Sequence, residues 1–484
     1  MTAFLLFTNL GGTPLRVNAE ERCAAVVEAM VETNDYAVPR LRGEIRLNKP
    51  PLFYWAAALV SELAGGFSLT TLRMPSALSG LALIGFVVLW GRLLGSPPAG
   101  IAAGAMLAVS YLFVQQGRQG SYEMMLAFFS QASLFALACL VARPGWSRGL
   151  TAAACFTGAL MTKGTPAFAT VLLPAVVWII TMGRKKWLAD VRVIATFLVS
   201  LVAGFGWYAW LLLRRPDVRD EVIAIALLPF GVDSKNAGAE HYEGPHFFLV
   251  KIWEEAFPVS LLLPLAVLYL WRNRLFPASS PWRLVALSFL VPLLAFSIIP
   301  QKQDHYLLPM LAPLALLCAR AALWGLGELQ GRFRLLLQVP AWLVAAVLVA
   351  SGIAGVIGFT LIADWPRPAA GAVGALIAGA GICTGMAVIR HHWTRGFLSG
   401  LAGLALVWIG YFAILNPVID NFGSGRIYFD PRYDPRPWEE KFRRYPVLVK
   451  ILDVKTGLRH VKQVEKELES GKVDLTPTPA PRLP

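Results

Sequence analysis

Five polar stretches interrupt a chain that is otherwise built of apolar runs, and each carries side chains able to hold an anion or move a proton. The first, residues 18–23, offers Glu20, Glu21 and Arg22. The second, residues 43–55, sets Lys49 directly before Pro50 and Pro51. Proline restricts the residue that precedes it, so this lysine sits on a stiff turn and suits a phosphate as a point charge. The third, residues 117–124, supplies Arg118 and Glu123; the fourth, residues 238–248, supplies His241 between Glu240 and Glu243. The fifth, residues 300–309, crowds Lys302, Asp304, His305 and Tyr306 into ten positions. Each also has a plainer structural reading. Acids favour a helix start, a lysine can snorkel, Arg118 and Glu123 can form an ion pair, and a single histidine is more often structural than a ligand. No phosphate-binding glycine loop, dinucleotide fingerprint, HExxH or GxSxG occurs in the sequence.

The elements that position these residues follow from composition. The chain has 484 residues, of which 56% are hydrophobic and 15% charged. Apolar runs of about 17–25 residues recur from 72 to 416, each long enough to cross hydrocarbon. In lipid the backbone must satisfy its own hydrogen bonds, so these runs are helices. The expected spans are 72–91, 98–115, 124–142, 149–162, 165–182, 193–213, 253–271, 283–299, 306–323, 338–362, 369–389 and 396–416. An apolar stub at 1–10 brings the count to about thirteen. The formal charge of +14 reads as basic anchoring of helices on the cytoplasmic side, with no nucleic acid as partner. Four of the five cysteines lie in apolar runs and none forms a CxxC pair, so neither a disulfide framework nor a zinc site is expected.

Loop charges give an orientation. Alternate loops carry Arg92; Arg143 and Arg148; Arg184, Lys185, Lys186 and Arg192; Arg272, Arg274 and Arg283; Arg332 and Arg334; and Arg390 and Arg395, against only Asp190 and Glu328. The intervening loops are mixed: residues 16–49 hold six basic and six acidic residues, and residues 214–250 hold four and six. Basic loops stay inside, which puts 11–70, 116–123, 214–250, 300–305 and the tail outside. This parity excludes the fourteen-residue apolar stretch 51–64 as a span. It reads instead as an interfacial or re-entrant helix whose Phe53-Tyr54-Trp55 cluster suits the headgroup level. Residues 19–32 predict a surface helix with Cys23, Val26, Val27, Met30 and Val31 on one face. The organisation is therefore a transmembrane module over 1–416 and a polar tail over 417–484.

The ordered set of stretches resembles the bacterial GT-C membrane glycosyltransferases related to lipid A aminoarabinose transferase (ArnT) and, more distantly, protein O-mannosyltransferases. The residues that carry the resemblance are Ala19-Glu20-Glu21-Arg22-Cys23, Asn48-Lys49-Pro50-Pro51-Leu52-Phe53-Tyr54-Trp55 and Leu72-Arg73-Met74-Pro75-Ser76-Ala77. They continue through Arg118 to Met124, Thr162-Lys163-Gly164, His241 to Pro245, and Lys302 to Pro309. The set covers roughly residues 15–320. It implies an all-α polytopic GT-C fold in the bacterial inner membrane, with the active site facing the periplasm. It also implies transfer, with inversion, from a polyprenyl-phosphate-linked sugar to a lipid, glycan or protein acceptor. The chain departs from the family pattern at Ala19, where the first aspartate falls, at Asn48, where an acid precedes the lysine, and at Glu123, in place of aspartate. Asn48, in place of an acid, and the loop histidine fall where the family's metal association lies, so no cofactor is assigned and a divalent metal stays open.

Such a transfer needs a carboxylate to deprotonate the acceptor hydroxyl and cations to stabilise the departing phosphate. The expectation is Glu20, or Glu21 beside it, as the carboxylate with Glu123 in support. Lys49, Arg118 and Lys302 would bind the donor phosphate, and Arg22, His241, His305 and Tyr306 would shape the pocket. Two other classes share the many-span pattern: a lipid flippase or transporter, and a degenerate family member that binds lipid without turnover. A transporter places ionisable groups near the midplane, often with internal repeats; here most charge sits at the outer surface.

Overall fold

The computed structural model describes residues 2–12, 15, 18–183, 185–227, 243–274, 277, 280–361 and 367–412. The N-terminal part is built around short elements. Helix α1 (Thr2–Phe7) is followed by α2 (Asn18–Thr33), a two-strand hairpin of β1 (Arg40–Leu41) and β2 (Glu44–Ile45), and α3 (Leu52–Leu63). The hairpin turns through Arg42 and Gly43, both at positive φ (54° and 89°), the geometry that a two-residue turn demands. Longer helices follow: α4 (Leu69–Leu93), α5 (Pro97–Ala108), α6 (Tyr111–Gly117), α7 (Glu123–Ala142), α8 (Trp146–Lys163), α9 (Leu173–Thr181) and α10 (Val191–Arg214). After α11 (Arg219–Leu227) come α12 (Phe247–Glu255), α13 (Leu263–Arg272), α14 (Trp282–Ile298) and α15 (Leu308–Glu328). The last described helices are α16 (Leu335–Leu361), α17 (Arg367–Ile389) and α18 (Trp393–Gly410).

Helix α4 starts on a capping box, with Ser68 Oγ accepting from the Thr71 amide and the Thr71 hydroxyl accepting from the Ser68 amide. It packs on α5 and α7; α8 lies between α7 and α10, and α15 touches α5, α7, α13 and α14. Helices α16, α17 and α18 pack on one another. Small residues allow the close approaches that replace hydrophobic driving force in lipid. A methyl group on Gly91 would collide with the backbone of Gly100, where α4 meets α5. On length and composition six described helices can cross a membrane, or eight if each of two bent pairs counts as one span.

That range is below the thirteen expected, because several apolar runs fold as shorter or broken helices. The 98–115 run bends by 67° between α5 and α6. The 253–271 run bends by 115° between α12 and the helix beginning at Val259, where Pro258 and Pro264 each remove a backbone donor. The short 149–162 run is the eighteen-residue helix α8.

The headgroup reading of residues 53–55 needs correction. Phe53 and Tyr54 are 0% and 1% exposed and pack with Cys23, Val26, Val27 and Met30 of α2. The side of α3 left open carries Leu59 and Leu63. Two bulky rings gain more by filling the space between α2, α3 and α4 than by standing at an interface. The polar tail, residues 417–484, lies outside the described residues.

Candidate active site

Antiparallel pairing of α7 with α8 brings the first residue of one beside the last residue of the other. Glu123 opens α7 and Lys163 closes α8, each at the helix end whose dipole favours its charge. Lys163 Nζ donates to both carboxylate oxygens of Glu123 at 2.6 Å. His305, just ahead of α15, brings Nε2 to 3.2 Å from Glu123 Oε1. Two rings line the same space. Lys163 Nζ lies 5.4 Å from the Tyr122 ring centroid and 4.8 Å from that of Tyr306, within cation–π range.

Lys49 approaches the Tyr122 ring as well, at 5.6 Å. Its loop is pinned from two sides. Tyr208 of α10 donates to the Leu47 carbonyl at 3.0 Å, and Trp207 donates to the Ala37 carbonyl at 3.1 Å. Burial, with repulsion from the Lys163 ammonium added, pushes the Lys49 amine down from 10.5 to about 8. Among the described residues no hydrogen bond or ion pair engages that ammonium. Arg46, three residues earlier, keeps its Nε enclosed without a hydrogen-bond partner.

Glu20 lies in a second, tighter set. Arg73 of α4 donates from Nε to Glu20 Oε1 at 2.7 Å and from an Nη to Oε2 at 3.2 Å. The Gly120 amide donates to Oε1 at 2.7 Å. Glu20 and Arg73 are each 1% exposed. The other Nη of Arg73 reaches the Leu10 carbonyl at 2.8 Å. A methyl group on Gly120 would strike the Leu72 side chain, so glycine is what lets this loop reach Glu20. Glu21 is partly buried and Arg22 is exposed on the same helix.

The remaining expected residues divide by what they hold. Arg118 is buried and donates to the carbonyls of Leu5 (2.7 Å), Leu6 and Asn9 (both 3.3 Å). Its guanidinium also stacks 4.3 Å from the Phe412 ring. Lys302, also buried, donates to the carbonyls of Ile299 at 2.6 Å and Glu243 at 2.8 Å. In this arrangement both cations bind backbone rather than face the Lys49 space. His241 lies outside the described residues. Among those described, no three His, Cys, Asp or Glu side chains gather as a metal site. Glu20 and Glu123 already hold Arg73 and Lys163, a donor set that does not fit a cation.

Sequence reasoning placed no role on Arg73 or Lys163, although it noted the segments that contain them. A signal existed for both. They are basic residues at helix ends on the side whose loops are otherwise mixed, so anchoring cannot account for them.

Helices broken at one end of a membrane bundle, with a buried cluster of lysines, carboxylates and aromatic rings there, define the class: a polytopic helical membrane protein. The comparisons carry this further. Residues 48–235 match the family model described as dolichyl-phosphate-mannose-protein mannosyltransferase. The undecaprenyl phosphate-alpha-4-amino-4-deoxy-L-arabinose arabinosyl transferase 1 of Pseudomonas fluorescens is 28% identical over 331 residues, 65% of this chain and 55% of that one. The arabinosyl transferase 2 of the same description from Sodalis glossinidius is 30% identical over 311 residues, 63% of this chain and 55% of that one. The crystal structure of ArnT from Cupriavidus metallidurans bound to undecaprenyl phosphate shares the fold, with a TM-score of 0.64 and 21% identity over 86% of this chain and 75% of that one. Over about two thirds of its length the chain is similar to these arabinosyl transferases, and it shares the fold of the ArnT structure. Its match spans little more than half the length of the two arabinosyl transferases.

Proposed function

We propose that this protein is a glycosyltransferase that moves a sugar from a polyprenyl-phosphate donor to an acceptor on the extracytoplasmic face of the bacterial inner membrane. One observation carries the reading: the Lys49 ammonium stands partly buried beside Lys163 and Glu123 without an ion-pair or hydrogen-bond partner among the described residues. Lys163 and Glu123 neutralise each other, so Lys49 leaves an excess positive charge. An unpaired charge out of water is costly, and a phosphate would pair it.

The chemistry follows from the groups present. The bond from the anomeric carbon to the phosphate oxygen breaks, and the bond from that carbon to the acceptor oxygen forms on the opposite face, inverting the centre. The acceptor proton passes to a carboxylate, and polyprenyl phosphate leaves with one more negative charge than it had in the donor. Lys49 and Lys163 oppose that growing charge. The geometry favours Glu123 as the proton acceptor, because it adjoins both lysines and His305. Glu20 fits a positioning role: its oxygens are bound by Arg73 and by the Gly120 amide. The loop that carries Gly120 leads directly into Glu123.

The test is sugar transfer and release of free polyprenyl phosphate by purified protein in lipid. Glu123→Gln is expected to lose about 10²–10⁴-fold in rate, and Lys49→Met about 10²–10³-fold. Glu20→Gln is expected to lower activity mainly through stability. Absence of polyprenyl phosphate release from the wild type would leave a transporter or a binding-only protein standing. A wild-type rate for Glu123→Gln would remove it as the base.

A further inference from the structure

Arg320 lies about 18 Å along α15 from the end that carries the candidate active site. Arginine stays charged at any pH a protein survives, so inside a membrane bundle it requires a counter-charge. Among the described residues no carboxylate lies within ion-pair distance of Arg320. What surrounds it is aromatic. The guanidinium is 5.9 Å from the Tyr269 ring and 5.9 Å from the Trp282 ring, with the Tyr269 phenol nearby. Its Nε is enclosed with no partner. Rings and a phenol soften the cost of the charge without cancelling it.

The surroundings are built rather than accidental. Trp282 is fixed by an indole bond to the Leu94 carbonyl at 3.2 Å, tying the start of α14 to the end of α4. Tyr269 packs 5.5 Å from Trp324, and Arg272 stacks over that same Trp324 ring at 5.7 Å. The cluster thus sits where α13 ends, α14 begins and α15 nears its close. Arg92, in the last turn of α4, and Arg283, in the first turn of α14, lie at this end. Val267 and Trp271 on the outer side of α13 are 61% and 73% exposed, so the cluster borders the surface that faces lipid.

We propose that Arg320, Tyr269 and Trp282, with Arg272 beside them, bind the phosphate of an anionic phospholipid headgroup at the end of the bundle opposite the candidate active site. The guanidinium supplies a planar fork for the phosphate oxygens. The rings cover the glycerol backbone, and the acyl chains run along α13. A free phosphate ion is the less suited occupant, since the site borders hydrocarbon rather than water. Basic pockets between spans on the cytoplasmic side commonly take such headgroups.

The experiment uses the full chain in nanodiscs of phosphatidylcholine with added phosphatidylglycerol as the probe, read by native mass spectrometry of retained lipid. Wild type is expected to retain phosphatidylglycerol at least tenfold over phosphatidylcholine. Arg320→Met is expected to lose that preference and Arg320→Lys to keep part of it. Equal retention by Arg320→Met, or no preference in wild type, overturns the proposal. A photo-crosslinking phosphatidylglycerol, mapped by peptide mass spectrometry on wild type, covers the case in which the variant does not fold. Crosslinks on 263–272, 282–290 or 315–328 support the site, and their absence from all three segments overturns it. Competition by inorganic phosphate at millimolar concentration would identify a free-anion site and also overturn the lipid assignment.

Discussion

At the scale of single residues, the same side-chain type does different work according to what it meets. Lys302 and Arg118 spend their donors on backbone carbonyls, whereas Lys49 keeps its ammonium available. The depressed value of Lys49, about 8, gives a pH signature with a definite sign. Below pH 8 the amine is protonated and can hold a phosphate; above it the charge is lost, by about tenfold in the charged fraction per pH unit. The donor KM of the wild type should therefore rise between pH 7.5 and 9.5, while Lys49→Arg, charged throughout, should give a flat profile. Titrating KM for the polyprenyl-phosphate donor checks this, and a parallel rise in Lys49→Arg would assign the effect to another group. Glu20 and Arg73 show the opposite economy. Each buried charge depends on the other, so removing one partner alone is expected to cost about 3–5 kcal/mol.

At the scale of elements, the site depends on helix ends meeting. Helix α7 offers a carboxylate at its first position and α8 an ammonium at its last, and the turn between them forces the two together. The loop between α6 and α7 joins both halves. Its Arg118 holds the carbonyls that end α1, its Gly120 amide holds Glu20, and the Ser121 carbonyl accepts from Ser76 of α4 at 2.8 Å. Gly120→Ala should push Leu72 and Glu20 away from this loop, costing about 1–3 kcal/mol as an overpacked contact. A fall in the thermal midpoint together with roughly tenfold slower transfer is the expected result. An unchanged midpoint would show that the loop can yield without cost.

At the scale of the whole molecule, the charged groups argued to act together lie at one end of the bundle, and the Arg320 cluster lies toward the other. The orientation drawn from loop charges makes a direct prediction. In a variant whose five cysteines are replaced, a cysteine at Glu44, on the exposed hairpin, should react with a membrane-impermeant maleimide in spheroplasts. A cysteine at Arg143, between α7 and α8, should react only after permeabilisation. The reverse pattern would invert the topology and move the proposed site to the cytoplasmic face.

Hydrophobic periodicity and length by themselves determined that this chain is a helical membrane protein, since only helices satisfy the backbone within each apolar run. They also located Glu123, His305 and Lys49, because polar groups at span ends are costly enough to be noticed. The helix over 19–32 was legible from its periodicity, but its apolar face, Cys23, Val26, Val27 and Met30, is buried against α3 rather than laid on a membrane surface. Tertiary structure alone decided which charges pair. Arg73 is 53 positions from Glu20 and Lys163 is 40 from Glu123, and no local pattern encodes a contact made by folding helices side by side. It also decided that Phe53 and Tyr54 face protein rather than lipid headgroups, because both environments reward aromatic rings and sequence cannot separate them. The breaks near residues 109 and 257 belong to the same category. An apolar run reads alike whether it crosses straight or bends, as it does at Val109-Ser110 with no proline to mark the break.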